Sequence, residues 1–382
     1  MHGPWFAPDY AGNGFLNLIA SLVEAAGGRP RHAPLGALSQ SELRAATNLV
    51  LLIVDGLGDE YVRAYGPAGA LAGRRRDPIS AVFPSTTATA ITTSYTGAAP
   101  VEHGLTGWFT YFGEAGCVGA PLPFRRRGEG RPIPASSARL FTEPPLFDGL
   151  RSRPVVVTER TIIDSIYNLH HCGRAERRPY DRLDELMDGI DAAARSGPER
   201  KFIYAYWPLF DKLAHEHGVA SDPVRRHYAE VELAFAGLLG KLAGTDALVV
   251  VTADHGFMDS PAERSLTLPP DLAAMLRFPL CGERRIAFAH AQSPREFAAK
   301  ARDWLGDRAE VRASRELQDE GWFGSGRPHP RFAERIGEVA VLMKDDWTLK
   351  DWVAGESRHL HIGNHGGATR AEMLIPLIVA TA

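Results

Sequence analysis

The sequence predicts an α/β protein in which a mostly parallel sheet is flanked by helices on both faces, with a small α+β subdomain inserted. Two observations carry that prediction. Continuous apolar runs, not alternating ones, recur at 48–54, 154–158, 202–206 and 247–252, as expected of parallel strands buried on both faces. Stretches with helical spacing at 181–195 and 222–243 fall between those runs, and such alternation belongs to a sheet covered on two sides.

Residues 15–26 put Phe15, Leu18, Ile19, Leu22 and Val23 on one face of a helix. The run at 48–54 stops at Asp55-Gly56, where a buried strand releases its chain. A hydroxyl-rich turn, Pro84-Ser85-Thr86-Thr87, precedes a helix over Ala88 to Tyr95. Residues 112–147 are rich in Gly, Pro and Arg without a period, and read as a long loop or flap whose Arg125, Arg126 and Arg127 either form a solvated face, the favoured reading, or reach a phosphate or nucleotide. A strand at 285–289, a helix at 294–305 and a strand at 339–343 make the insertion, 258–345, within a core of 1–257 and 346–382. A last strand is expected near 373–380.

Composition bounds function loosely. With 45% hydrophobic and 23% charged residues, the 382-residue chain is an ordinary globular one, and its net charge of −3 points to no nucleic-acid polymer or anionic membrane as partner. Cys117, Cys172 and Cys281 lack metal or redox spacing and read as free thiols of a reducing compartment. The N-terminal stretch fits a signal peptide poorly, no apolar run is long enough to cross a bilayer, and a cytoplasmic location is expected.

Chemistry concentrates where apolar runs end. Asp55 closes one; Asp254-His255-Gly256 closes another; Asp211 and His215, four apart, share one side of a helix and can share one ion. His365 lies in Gly363-Asn364-His365-Gly366, with His359 and His361 near enough to compete for its role. Each also fits a plainer one: a helix cap for Asp55, a surface ion pair for Asp211 with His215, a strand-end turn for Asp-His-Gly, a solvated histidine. Their joint placement at strand ends is what open α/β sheets use for ligands. Among Ser85, Thr86, Thr87 and Thr89, one hydroxyl at a helix N-terminus is suited to meet a phosphate, and the others serve as caps.

The ordered set, from Asp55 through Phe83-Pro84 to Thr96-Gly97, Pro100, His103-Gly104, Asp211 with His215, Asp254-His255-Gly256 and His365-Gly366, resembles the alkaline phosphatase superfamily. Its nearest branch is the type I phosphodiesterase/nucleotide pyrophosphatase family. The resemblance implies a nucleophile ten residues before Gly97, which is Thr87. It implies two divalent ions about 4 Å apart, most simply zinc although manganese or iron would accept the ligands. Asp211, His215 and His365 would hold one; Asp55, Asp254, His255 and the Thr87 oxygen would hold the other. A phosphothreonine would form and be hydrolysed, with a small phosphate ester as substrate and diesters favoured over monoesters. One departure bears on substrate: relatives place a phosphate-contacting Asn where this chain has Trp108, whose indole donates a single hydrogen bond and either lines a base or leaving-group pocket or serves as a partly buried structural residue. Phosphonate hydrolysis and phosphomonoester hydrolysis are the alternatives within the superfamily. A non-catalytic metal-binding sensor would be marked by a lost ligand, and all seven are present.

Overall fold

The computed structural model describes residues 5–66 and 68–382. Its central sheet has six strands in the spatial order Ile378–Thr381, Ala247–Thr252, Asn48–Val54, Lys201–Trp207, Arg153–Glu159 and Glu176–Tyr180. Every neighbouring pair is parallel except Ile378–Thr381 against Ala247–Thr252. The strand Asn48–Val54 is buried along its whole length, which is why its sequence is a continuous apolar run. Ile53 stands opposite both Tyr206 and Thr252, so three adjacent strands finish at one level.

Helices cover both faces. Tyr95 of the helix Thr87–Thr96 meets Tyr204 with ring centroids 4.9 Å apart. On the other side Gly189, in the helix Leu183–Ala194, lies so close to the sheet that a Cβ there would stand 2.9 Å from Val157. Val156 pairs with Tyr204 and Val157 with Ala205, and successive strand residues point to opposite faces, so the two helices sandwich the sheet.

Two expectations are corrected in detail. The last strand is two pieces: Leu374–Ile375 pairs with Ile79–Ser80, and Ile378–Thr381 joins the central sheet. Pro376 between them has no amide hydrogen to continue a ladder. The loop expected over 112–147 contains a three-stranded antiparallel sheet built from Thr110–Phe112, Cys117–Ala120 and Arg125–Arg126. Its strands span only two to four residues, too short to show a period. The edge strand Glu176–Tyr180 escaped the sequence because its Glu-Arg-Arg-Pro composition is that of a protected, half-exposed edge.

Within 258–345 a four-stranded antiparallel sheet has the order Cys281–Gly282, Ile286–Ala289, Val339–Met343, Ala309–Ala313. Ile286, Phe288, Ala340 and Leu342 pack into the main core. The alternate residues Ala287, Ala289, Val339, Val341 and Met343 form a second cluster with Phe297, Ala301 and Leu305 of the helix Pro294–Leu305. The turn joining the first two of these strands reaches back toward the ends of the central sheet.

Candidate active site

Asp55 leaves the central strand, Asp254 and His255 follow its neighbour Ala247–Thr252, and the helix Leu209–His217 carries Asp211 and His215 away from Lys201–Trp207. Thr87 is the first residue of its helix. His365 follows Gly363–Asn364, a short strand held antiparallel to Met258–Asp259. Local backbone demands explain two glycines. Gly56 has φ +76° and a Cβ there would meet the Phe257 ring at 2.5 Å. At Gly256 the limit is close approach, since a Cβ would lie 2.0 Å from the Ala371 carbonyl oxygen.

The seven residues meet in two abutting groups. His215 Nε2 is 3.5 Å from Asp211 Oδ1, and His365 Nε2 is 3.6 Å from the same oxygen and 3.2 Å from His215 Nε2. In the second group His255 Nε2 lies 3.3 Å from Asp55 Oδ1, 3.5 Å from Asp254 Oδ2 and 3.2 Å from Thr87 Oγ1. Thr87 Oγ1 is 3.5 Å from Asp55 Oδ1. His255 Nε2 also stands 4.0 Å from Asp211 Oδ1, so it borders both groups. Of the competing histidines, His361 lies tilted beside His215 with ring centroids 4.3 Å apart, while His365 is the one facing Asp211.

These separations fit divalent ions. Ligand atoms about 2.0–2.1 Å from a tetrahedral ion stand roughly 3.3–3.4 Å from each other, close to the spacing in both groups. The hydrogen bonds around the ligands agree. Nδ1 of His215, His255 and His365 each meets a backbone carbonyl, of Gly363, Gly256 and Ser85 respectively, so Nδ1 carries the proton and the Nε2 lone pair faces the site. Asp254 Oδ1 accepts from the Gly56 and His255 amides and leaves Oδ2 without a partner among the described residues. The Tyr206 hydroxyl donates to Asp55 Oδ2 and leaves Oδ1 facing the site. Asp211 Oδ1 is likewise unpartnered. Each carboxylate thus turns one oxygen inward with no hydrogen bond from a protein N–H.

Burial acts on these groups accordingly. It raises Asp55 to about 6, against the opposing pull of Tyr206, and raises Asp254 to about 8 with help from the Asp55 charge. Burial and then the neighbouring carboxylates push Asp211 well up. Burial also lowers His215 to about 4 and His365 well below the usual imidazole range. Negative charge crowds together with no cationic side chain among it, which is the electrostatic signature of a site that takes cations.

A cleft of about 460 Å³ opens over Thr87, Asp211, His215 and His365, a size suited to a small molecule. Trp108 lines it and is 40% exposed. The expectation of a solvated arginine face holds for exposed Arg125 and fails for Arg127. Arg127 is buried because its guanidinium pairs with Asp351 and Glu356, each at 2.7 Å, and donates to the Leu280 carbonyl.

A family model described as "Type I phosphodiesterase / nucleotide pyrophosphatase" matches residues 49–368. The chain belongs to this family. It is therefore a hydrolase of phosphoric esters, and its groups that could hold a metal suit a family that depends on one. No curated protein matches the sequence. Solved structures show the same fold at low identity. Murine ectonucleotide pyrophosphatase/phosphodiesterase 5, as an inactive threonine-to-alanine variant with AMP, is 13% identical with a TM-score of 0.64, covering 86% of this chain and 87% of that one. The human counterpart is 15% identical with a TM-score of 0.64, covering 87% of each chain. Phosphonoacetate hydrolase from Sinorhizobium meliloti 1021 in complex with phosphonoacetate is 17% identical with a TM-score of 0.62, covering 86% of this chain and 89% of that one.

In this phosphodiesterase-family chain, sequence reading passed over Tyr206 and the turn at 283–284. Glu283 accepts from the Thr86 hydroxyl at 2.6 Å and from the Trp108 amide at 2.8 Å. A carboxylate therefore stands against the backbone of Trp108, the residue that replaces the expected Asn. The only signal for it was an acidic-basic-basic turn, Glu283-Arg284-Arg285, between two apolar strands.

Proposed function

We propose that the protein is a metal-dependent phosphodiesterase of the nucleotide pyrophosphatase type in which Thr87 attacks phosphorus. The observation that carries this reading is the Thr87 hydroxyl, 3.2 Å from His255 Nε2 and 3.5 Å from Asp55 Oδ1, at the seam of two ligand groups of one Asp and two His and of two Asp and one His. Asp211, His215 and His365 would hold one ion; Asp55, Asp254 and His255, with Thr87, would hold the other, and zinc best matches this N/O donor set. When bound, such ions lower the pKa of the hydroxyl and neutralise charge building on the phosphoryl and leaving oxygens.

The chain's own residues do the rest. Thr87 opens its helix, where the positive end of the dipole favours an alkoxide and an approaching phosphate. Thr87 Oγ1 releases its proton to solvent and forms a bond to phosphorus as the bond to the leaving oxygen breaks and that group departs with the electron pair. Water then attacks the phosphothreonine from the vacated side, the bond from phosphorus to Thr87 Oγ1 breaks, and the proton given up by the water restores the Thr87 hydroxyl. Glu283, bonded to Thr86 beside the nucleophile, opposes a second negative charge on the reacting phosphoryl group, which supports diesters over monoesters.

The test is turnover of bis-p-nitrophenyl phosphate, p-nitrophenyl phosphate and phosphonoacetate by zinc-loaded protein, with Thr87→Ala alongside. The diester should be fastest, and the variant should lose at least about a thousandfold in kcat. Full activity in Thr87→Ala removes it as nucleophile. Faster phosphonoacetate cleavage than diester cleavage would favour carbon–phosphorus hydrolysis, the reading that the phosphonoacetate hydrolase likeness supports.

A further inference from the structure

The turn between Cys281–Gly282 and Ile286–Ala289 sends three charged side chains to different ends. Arg285 is fully buried against Glu372, and Glu283 bonds Thr86 and Trp108. Arg284 lines the cleft. Two other cations share that wall. Arg127 is satisfied by Asp351 and Glu356, and Lys350 lies 3.6 Å from Glu356 and 4.4 Å from the centre of the Trp352 ring. Asp351 and Glu356 are taken up by Arg127, and Glu356 also by Lys350. Arg284 is the one left over: among the described residues its guanidinium makes no ion pair, only a 3.1 Å hydrogen bond to the His359 carbonyl. It is partly buried, and burial weakens its hold on its proton against the opposing charges of Glu283 and Glu356, neither of which its guanidinium touches as an ion pair among the described residues.

Its side of the cleft is informative. In an in-line displacement the leaving oxygen departs opposite the attacking one. Thr87 belongs to the group of Asp55, Asp254 and His255, so the leaving group points toward Asp211, His215 and His365. Arg284 lies on that side, bonded to the His359 carbonyl, with the His359 ring 6.0 Å from that of His361 and the His361 ring 4.3 Å from that of His215. A guanidinium pairs with phosphate or carboxylate through two parallel hydrogen bonds and has no such partner within the protein here.

We infer that Arg284 is a specificity-determining residue that binds a second anionic group, a phosphate or a carboxylate, carried on the leaving group of the substrate. The inference rests on the hydrolase reading above and names the kind of ester that site accepts. Lys350 adds positive charge to the lining of the same cleft, which Trp108 also lines.

The experiment compares kcat/KM of zinc-loaded wild type, Arg284→Ala and Arg284→Lys on three esters. ATP releases pyrophosphate, bis(3-carboxy-4-nitrophenyl) phosphate releases a carboxylate-bearing phenol, and bis-p-nitrophenyl phosphate releases a phenol without a further acid. Arg284→Ala should lose roughly 10- to 100-fold on one or both of the anionic leaving groups, and stay within about twofold on the third, with an unchanged thermal melt. Loss on ATP alone identifies phosphate as the partner, and loss on the carboxylated ester alone identifies carboxylate. Arg284→Lys should recover part of the loss, because charge is kept and the fork is not. Equal losses on all three esters, or none on either anionic one, overturn the inference. Failure of the underlying hydrolase reading looks different: wild type turns over none of the three, or Thr87→Ala is fully active.

Discussion

Asp55 has one oxygen tied to the Tyr206 hydroxyl and the other facing His255 and Thr87. The tyrosine fixes which oxygen an ion meets, and outer hydrogen bonds of this kind commonly tune metal affinity 10- to 100-fold. Tyr206→Phe should therefore weaken zinc binding by roughly that factor with its fold intact; titration against a competing chelator reads it, and unchanged affinity removes Tyr206 from this role. The sequence made Asp211 and His215 legible because four residues is one helical turn, and Asp55 and Asp254 legible because a carboxylate after an apolar run is costly without a partner. Tyr206 was invisible, since an aromatic in a buried strand looks the same whether its hydroxyl meets water, a carbonyl or a carboxylate. Glu283 was invisible for a different reason: it lies 196 residues from Thr87 in sequence, and only the folded turn brings it to Thr86.

The elements around the cleft differ in how plainly their sequences speak. Long parallel strands and amphipathic helices announce themselves, whereas the short strands at 110–126 are held by tertiary contacts that no local period reports. Arg127 is the clearest case. Its side chain, 3% exposed, fastens this small sheet to Asp351 and Glu356 and to the Leu280 carbonyl, with its guanidinium 4.4 Å from the centre of the Phe109 ring. Arg127→Ala leaves the mostly covered Asp351 without its ion pair and Glu356 with Lys350 alone, and should lower unfolding free energy by roughly 3–5 kcal/mol. Urea denaturation measures this. A loss within about 0.5 kcal/mol, usual for surface changes, would mean the arginine is solvated after all.

For the whole molecule, the acidic cluster sets function against stability. Three inward-facing carboxylates with raised affinity for protons oppose folding until a cation arrives. Asp254→Asn can keep its Oδ1 acceptor for the Gly56 and His255 amides while removing one charge. The metal-free variant should melt above the metal-free wild type, yet gain far less from zinc, where saturation at a hundred times Kd is worth about 2.7 kcal/mol. Calorimetric melts with and without chelator decide it, and a lower melt for the metal-free variant would show that the charge is compensated within the chain. We also propose that 258–345 is a unit inserted into the core of 1–257 and 346–382, its sheet sharing one face with that core.

The turn at 283–284 belongs to that segment, whereas the ion ligands and Thr87 belong to the ends of the central sheet and the loops beside it. With the roles proposed for Thr87, its ion ligands and Arg284, chemistry and choice of leaving group are written on separate stretches of chain. Substitutions within one short hairpin can redirect the enzyme to a new ester while the machinery that breaks the bond is inherited unchanged.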